Sequence, residues 1–299
     1  MPRMSIWHWG IAMTLRDYQR FYVSQRFVSD GWSEQLRIAV RLFEAFAGDS
    51  SRVDNLSATG ITAWLRAYSG HVAARTANSK RCAILCLWRA AAEDGLCEPP
   101  GRVPKVPEPQ HLPEAWTVDE IERLLAAARL EPGTIGGVEA CRWNPALLLS
   151  LYDTGARLGA MLGVQMSDVL FDQRALILRA AHQKQNCDQY CRLSDQTVAA
   201  IAATVSPAAT GMRVLVFPWP WRRAALYRRM SGICRRANVR YGRGAGGLYG
   251  KLRKTSGTLI ESAGGDGARH LGNTREVFEK FYYDARFAPS QIDLLPRPK

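Results

Sequence analysis

Between Glu98 and Glu114 the chain reads EPPGRVPKVPEPQHLPE, where Pro99, Pro100, Pro104, Pro107, Pro109 and Pro113 forbid a continuous helix. Proline at this density favours an extended, semi-rigid connection. Such a segment divides the chain, and 299 residues suffice for a core on either side of it. The expected layout is an N-terminal arm at 1–13, a helical domain at 14–98, a proline-rich linker at 99–114 and a larger domain at 115–299.

Everything before the linker has helical periodicity. Thr14 and Asp17 resemble a capping box ahead of LRDYQRFYVSQRF, and Ser33 precedes EQLRIAVRLFEAFAG, which stops at Gly48. Two more helices are expected near 58–69 and 76–94. The last carries Ala83, Leu87, Ala90 and Ala91 on an apolar face, with Asn78, Lys80 and Arg81 clustered at its beginning. Beyond the linker, Thr117 and Glu120 form a second capping box, followed by an apolar helix around PALLLSLY. Strand candidates VLFD and RALILRAA then lead into a polar hairpin, HQKQNCDQYCRLS, and a helix from Ser194. The fold class is therefore mainly α, with a small β-sheet in the second domain.

Forty Lys and Arg against 27 Asp and Glu leave a formal charge of +13, a field that attracts polyanions and suits nucleic acid. In RRAALYRRMSGICRRANV, Leu226, Met230, Ile233, Cys234 and Ala237 share one face. Arg222, Arg228, Arg229, Arg235 and Arg236 occupy the rest. Asn78, Lys80, Arg81, Arg222, Arg228 and Arg229 are the candidate DNA contacts. Seven scattered cysteines in apparently helical segments suit reduced thiols in a cytoplasmic protein, and neither Cys82/Cys86 nor Cys187/Cys191 has the companions of a zinc site. The opening MPRMSIWHWGIAMTL contains His8 and lacks a small-residue cleavage site, so it does not read as a secretory signal. No apolar run approaches the roughly 20 residues of a membrane span.

Four separated signals bear on chemistry. In TGARLGAMLGV a Thr-Gly turn delivers Arg157 to a helix start. Lys184 sits on the polar hairpin. In GKLRKTSGTLIESAGG, Leu252, Thr255, Ser256, Leu259 and Ile260 form a helical stripe flanked by Arg253 and ended at Gly264–Gly265. Last, LGNTREVFEKFYYD ends on adjacent tyrosines; helical phase places Tyr282 inward beside Phe278 and Phe281, and Tyr283 outward among Glu276, Glu279 and Lys280.

In order and spacing this set resembles the tyrosine recombinase (phage integrase) family, across essentially the whole chain. The resemblance implies a helical core-binding domain followed by an α+β catalytic domain. It implies Tyr282 as nucleophile, Arg157 and Arg253 as phosphate-binding arginines, Lys184 as general acid and Asn273 as a further phosphate donor. Three positions depart from the pattern. Gly250 stands where the His of His-x-x-Arg is usual, Asn273 where a later His or Trp is usual, and Ala160 where an acidic residue commonly supports the first arginine. Lys251, Tyr249 and His270 are open as replacements for what Gly250 lacks.

The implied activity is site-specific DNA recombination or integration through a covalent 3′-phosphotyrosine, with neither metal nor cofactor. The implied partners are double-stranded DNA and further copies of the chain, dimer to tetramer, in a cytoplasmic setting that becomes nucleoid-associated on DNA. A catalytically impaired DNA-binding relative is the alternative, and a type IB-like topoisomerase a more distant one. The tail from Ala285, with Ile292, Leu294 and Leu295, is expected to dock either on its own domain or on a neighbouring protomer.

Overall fold

The computed structural model describes residues 13–48, 51–109, 111–183, 186–205, 214–242 and 248–288. The chain divides into two compact units, Met1–Gln110 and His111–Lys299.

The first unit is built from α1 (Leu15–Gln25), α2 (Asp30–Ala47), α3 (Ala58–Ser69) and α4 (Ala74–Glu93). Side-chain oxygens of Thr14, Ser29 and Ser57 accept the first free amides of α1, α2 and α3, so three of the four helices start on a side-chain cap. The second of these corrects the expected start at Ser33: Ser29 accepts from Trp32 N, and the helix begins one turn earlier. Leu15, Tyr18, Leu36, Phe43, Trp64, Ile84 and Leu87 fill the core, with Phe43 edge-on to Trp64 at 5.4 Å. Tyr18 donates its hydroxyl to Asp94 at 2.6 Å and so ties α1 to the end of α4.

The proline-rich segment lies along α4. Val103 is buried in the same core, and Trp88 Nε1 donates to Glu98 O at 2.8 Å. Asn78 brackets the Val106 peptide, donating to its carbonyl at 2.8 Å and accepting from its amide at 2.9 Å, and also donates to Glu108.

In the second unit α5 (Val118–Ala128) opens on the Thr117–Glu120 capping box. A two-residue hairpin, β1 (Thr134–Ile135) and β2 (Val138–Glu139), turns through Gly136 and Gly137, both at positive φ. Helix α6 (Ala140–Thr154) follows, buried on almost every face because α5 and the later helices over 195–202 and 248–262 all pack on it. After the short α7 (Leu158–Leu162), β3 (Val169–Leu170), β4 (Ala175–Leu178) and β5 (Gln189–Arg192) form an antiparallel sheet with Val169 opposite Leu176 and Leu176 opposite Cys191. Then come α8 (Asp195–Ala202), α9 (Arg223–Arg236), α10 (Leu248–Ser262), α11 (Gly267–His270) and α12 (Arg275–Phe281). The architecture is mainly helical with small sheets in the second unit. Among the described residues no helix is long and apolar enough to cross a membrane.

Candidate active site

Helix α6 ends on Gly155, whose φ of +58° lies in the left-handed region. Any Cβ there would run into Leu271 Cδ2 and come within 3.0 Å of His270 Nε2, so the turn requires glycine twice over. Two residues on, Arg157 is the N-cap of α7 and half-buried.

Arg253 lies on the buried side of α10, 6% exposed. Its Nη1 donates to the carbonyl of Gly155 and its Nη2 to the carbonyl of Leu271. One guanidinium thus joins α10, the turn that presents Arg157 and the segment that presents Asn273. Burial lowers its pKa from the ordinary arginine value, Tyr282 opposes that fall, and the nearby Arg157 charge adds to it. The Arg253 guanidinium carbon lies 5.3 Å from the centre of the Tyr282 ring.

Two buried donors in this cluster have no partner in the fold, Arg253 Nε and Asn273 Nδ2. An unpaired buried donor costs on the order of 1–3 kcal/mol, more when it is charged. Both belong to residues singled out from sequence, and both are of the type that binds an anionic oxygen.

The tyrosine segment differs from its expected form. Helix α12 stops at Phe281, and Tyr282 is its C-cap, its amide donating to Phe278 O at 2.8 Å. Phe281 is 43% exposed, whereas Tyr282 and Tyr283 are both half-buried against Phe278. The inward-outward split of a continued helix therefore does not hold: the Tyr283 ring packs tilted against Phe278 with centroids 5.8 Å apart, and Tyr282 turns to Arg253. The physical reason is a set of long-range tethers. Thr258 Oγ1 donates to Tyr282 O and accepts from Asp284 N, both at 3.1 Å, and the buried Asp284 carboxylate accepts from Ala115 N at 2.8 Å. These bonds draw the chain off the helical path.

Lys184 lies outside the described residues, as does the tail from 289 onward. Gly250 is exposed, with nothing within 4 Å of where a Cβ would stand. Lys251 is buried, donating to Arg240 O at 3.2 Å with its ammonium over the Trp116 ring. Tyr249 is buried against Tyr227.

The predicted DNA contacts separate into two groups. Arg222 and Arg228 are exposed on α9. Arg229 donates to the buried Glu131 at 2.6 Å, and Arg236 pairs with the same carboxylate. Lys80 is 6% exposed and donates to Gln35 at 2.6 Å, and Arg81 donates to Val103 O. With Asn78 on Val106, all three α4 residues make contacts within their own unit and do not form an open basic face. Sequence reasoning also missed Asp284 and Thr258, whose partners lie far away in the chain. Among the described residues no group of three His, Cys, Asp or Glu side chains is placed to hold a metal ion.

The fold is one that solved integrases share. The chain resembles the Tn1549 transposon integrase in complex with circular intermediate DNA (TM-score 0.68, 14% identity, 94% of this chain and 97% of that one). It also resembles a lambda integrase dimer bound to a COC′ core site (TM-score 0.67, 14% identity, 96% and 81%). No protein-family model matches it. Over 105 residues it is 34% identical to the tyrosine recombinase XerD of Mycobacterium tuberculosis, a match spanning 34% of this chain and about a third (33%) of that relative. In fold the chain resembles these integrases, and over this one stretch of sequence it resembles the XerD tyrosine recombinase.

Proposed function

We propose that the chain is a site-specific DNA recombinase or integrase, with residues 14–98 as the core-binding domain, 99–114 as the linker and 115–299 as the catalytic domain. The observation that carries this reading is Arg253: held by two carbonyls, it keeps a buried, unpartnered Nε beside Tyr282. In the proposed reaction the Tyr282 hydroxyl gives up its proton to solvent as its oxygen attacks a backbone phosphorus, a 3′-phosphotyrosine bond forms, and the bond to the 5′ oxygen breaks. Lys184 delivers the proton that this oxygen needs. The Arg157 and Arg253 forks and the Asn273 amide bind the non-bridging oxygens as charge builds on them. Because the ester conserves the bond, attack by a 5′ hydroxyl of another strand reverses the step and rejoins DNA without nucleotide.

Arg222 and Arg228 are the proposed phosphate contacts on α9. Solved relatives include a lambda integrase dimer on a core site and a tetramer on a Holliday junction, and we take this chain to assemble likewise on duplex DNA, in the cytoplasm and on the nucleoid when bound. The absence of an imidazole at Gly250 favours a second reading, a DNA-binding relative with impaired chemistry. The decisive experiment incubates the full chain with nicked duplex carrying a candidate site, in excess chelator and without nucleotide, followed by denaturing electrophoresis. A covalent protein–DNA band is expected. Binding without any adduct selects the impaired relative, and an adduct that appears only with added magnesium overturns the mechanism.

A further inference from the structure

We propose that His270 is a positioning residue for the arginine pair: its imidazole, wedged between Ser256 and Gly155, sets the two backbone carbonyls that hold the Arg253 guanidinium. The idea rests on the recombinase reading of the site and deepens it. His270 Nε2 and Ser256 Oγ are 2.7 Å apart, and the same nitrogen lies 3.0 Å from where a Cβ on Gly155 would stand. Gly155 supplies one carbonyl to Arg253, and Leu271, the residue directly after His270, supplies the other. A shift of the ring therefore moves both acceptors together, and with Gly155 it moves the turn that presents Arg157.

The other candidates near the vacant Gly250 position have different tasks. Lys251 is held by Arg240 O and Trp116, and Tyr249 packs on Tyr227. The charged groups acting on the imidazole are Arg253 on α10 and Asp153 near the end of α6. On its own helix Arg269 is exposed, and Glu261 of α10 pairs with Arg275 of α12. Burial first, and then the Arg253 charge, hold the ring below the usual histidine range, with Asp153 opposing. At neutral pH His270 is thus an uncharged ring sharing one proton-bearing contact with Ser256.

Single-turnover adduct formation by the full chain tests the idea with His270→Ala, His270→Gln and Ser256→Ala. A displacement of about 1 Å at a reacting group costs about 10²-fold in rate, which is the loss expected for His270→Ala at unchanged DNA affinity. Glutamine places an amide near the Nε2 position and should restore most of the rate. Ser256→Ala should slow the step, and the double variant with His270→Ala should be no slower than His270→Ala alone. A wild-type rate in His270→Ala, or a His270→Gln as slow as the alanine variant, overturns the proposal. A second readout needs no activity: in DNA-free protein, the His270 ring resonance should titrate at higher pH in Arg253→Ala than in wild type. An unchanged titration overturns the coupling to Arg253. If wild type forms no adduct at all, the recombinase reading fails while the ring titration still decides whether His270 and Arg253 are linked.

Discussion

Two polar clusters, one on α4 and one around α10, look alike in sequence and differ in how their donors are satisfied. On α4, Asn78, Lys80 and Arg81 all donate to groups of their own unit: Val106 and Glu108, Gln35, and Val103. Around α10, Arg253 uses two of its five N–H donors on backbone carbonyls and leaves Nε buried without a partner, and Asn273 Nδ2 is in the same state. A satisfied polar cluster stabilises a fold, whereas buried donors left open are tolerated where a ligand completes them. The comparison ties α4 to holding the linker and leaves the donors around α10 as the ones open to a ligand.

The strongest way to break this assignment is at the tyrosines. Tyr282→Phe keeps the ring beside Arg253 and removes the oxygen proposed to form the ester, so adduct should vanish while folding and DNA binding persist. Tyr283→Phe keeps its tilted packing against Phe278 and should leave adduct formation near wild type. The reverse pattern on denaturing gels would move the nucleophile by one residue and dissolve the link to Arg253.

Next in size is Arg253 itself. Loss of one preorganised donor to a developing oxyanion costs about 10²–10³-fold, so Arg253→Ala should lower the adduct rate by at least that much. Arg253→Lys should not rescue it, because a single ammonium lacks the planar fork that reaches two carbonyls and an anion together. Melting curves run alongside distinguish lost chemistry from lost fold. A lysine variant at full rate would show that charge alone suffices.

A smaller effect is expected on α4. Asn78→Ala removes the bracket on the Val106 peptide and should destabilise the first unit by about 1–3 kcal/mol. Limited proteolysis within 99–109 should accelerate, and the cleavage rate of bound complexes should not change. If Asn78→Ala instead weakened DNA binding at unchanged stability, α4 would be a DNA contact and the contrast between the clusters would fail.

Much of this was legible from local pattern. The starts at Thr14, Thr117 and Ser194, the stop at Gly48 and the buried stripe of α9 all depend on residues within a turn or two of one another. What escaped is non-local. Nothing in NSKRC says that Lys80 and Arg81 are covered, because their cover is Gln35 and a linker that folds back along the helix. Likewise α12 reads as continuous through Tyr283, and it ends early because Thr258 and Ala115 engage the residues that follow. The Gly136–Gly137 hairpin is a different kind of miss: its two-glycine signal was present, but strands of two residues are too short for alternation to register.

The smallest expected effect concerns the tether that ends α12. Asp284 is buried, and burial alone would raise its pKa; the Arg286 guanidinium at 2.5 Å and the amides of Ala115 and Arg286 outweigh it and hold the carboxyl below the usual aspartate range. A carboxylate whose folded-state pKa is depressed binds fewer protons than its unfolded counterpart. Its stabilisation is therefore complete above the unfolded value of about 3.9 and is lost as pH falls through the folded value. Stability of the second unit should accordingly decline on acidification below about pH 4, and Asp284→Asn should flatten that part of the profile. The same substitution at neutral pH loosens the segment carrying Tyr282 without touching Arg253, so adduct formation should slow by less than it does in Arg253→Ala. A larger loss in Asp284→Asn would mean that placing the tyrosine, more than holding the arginine, limits the reaction.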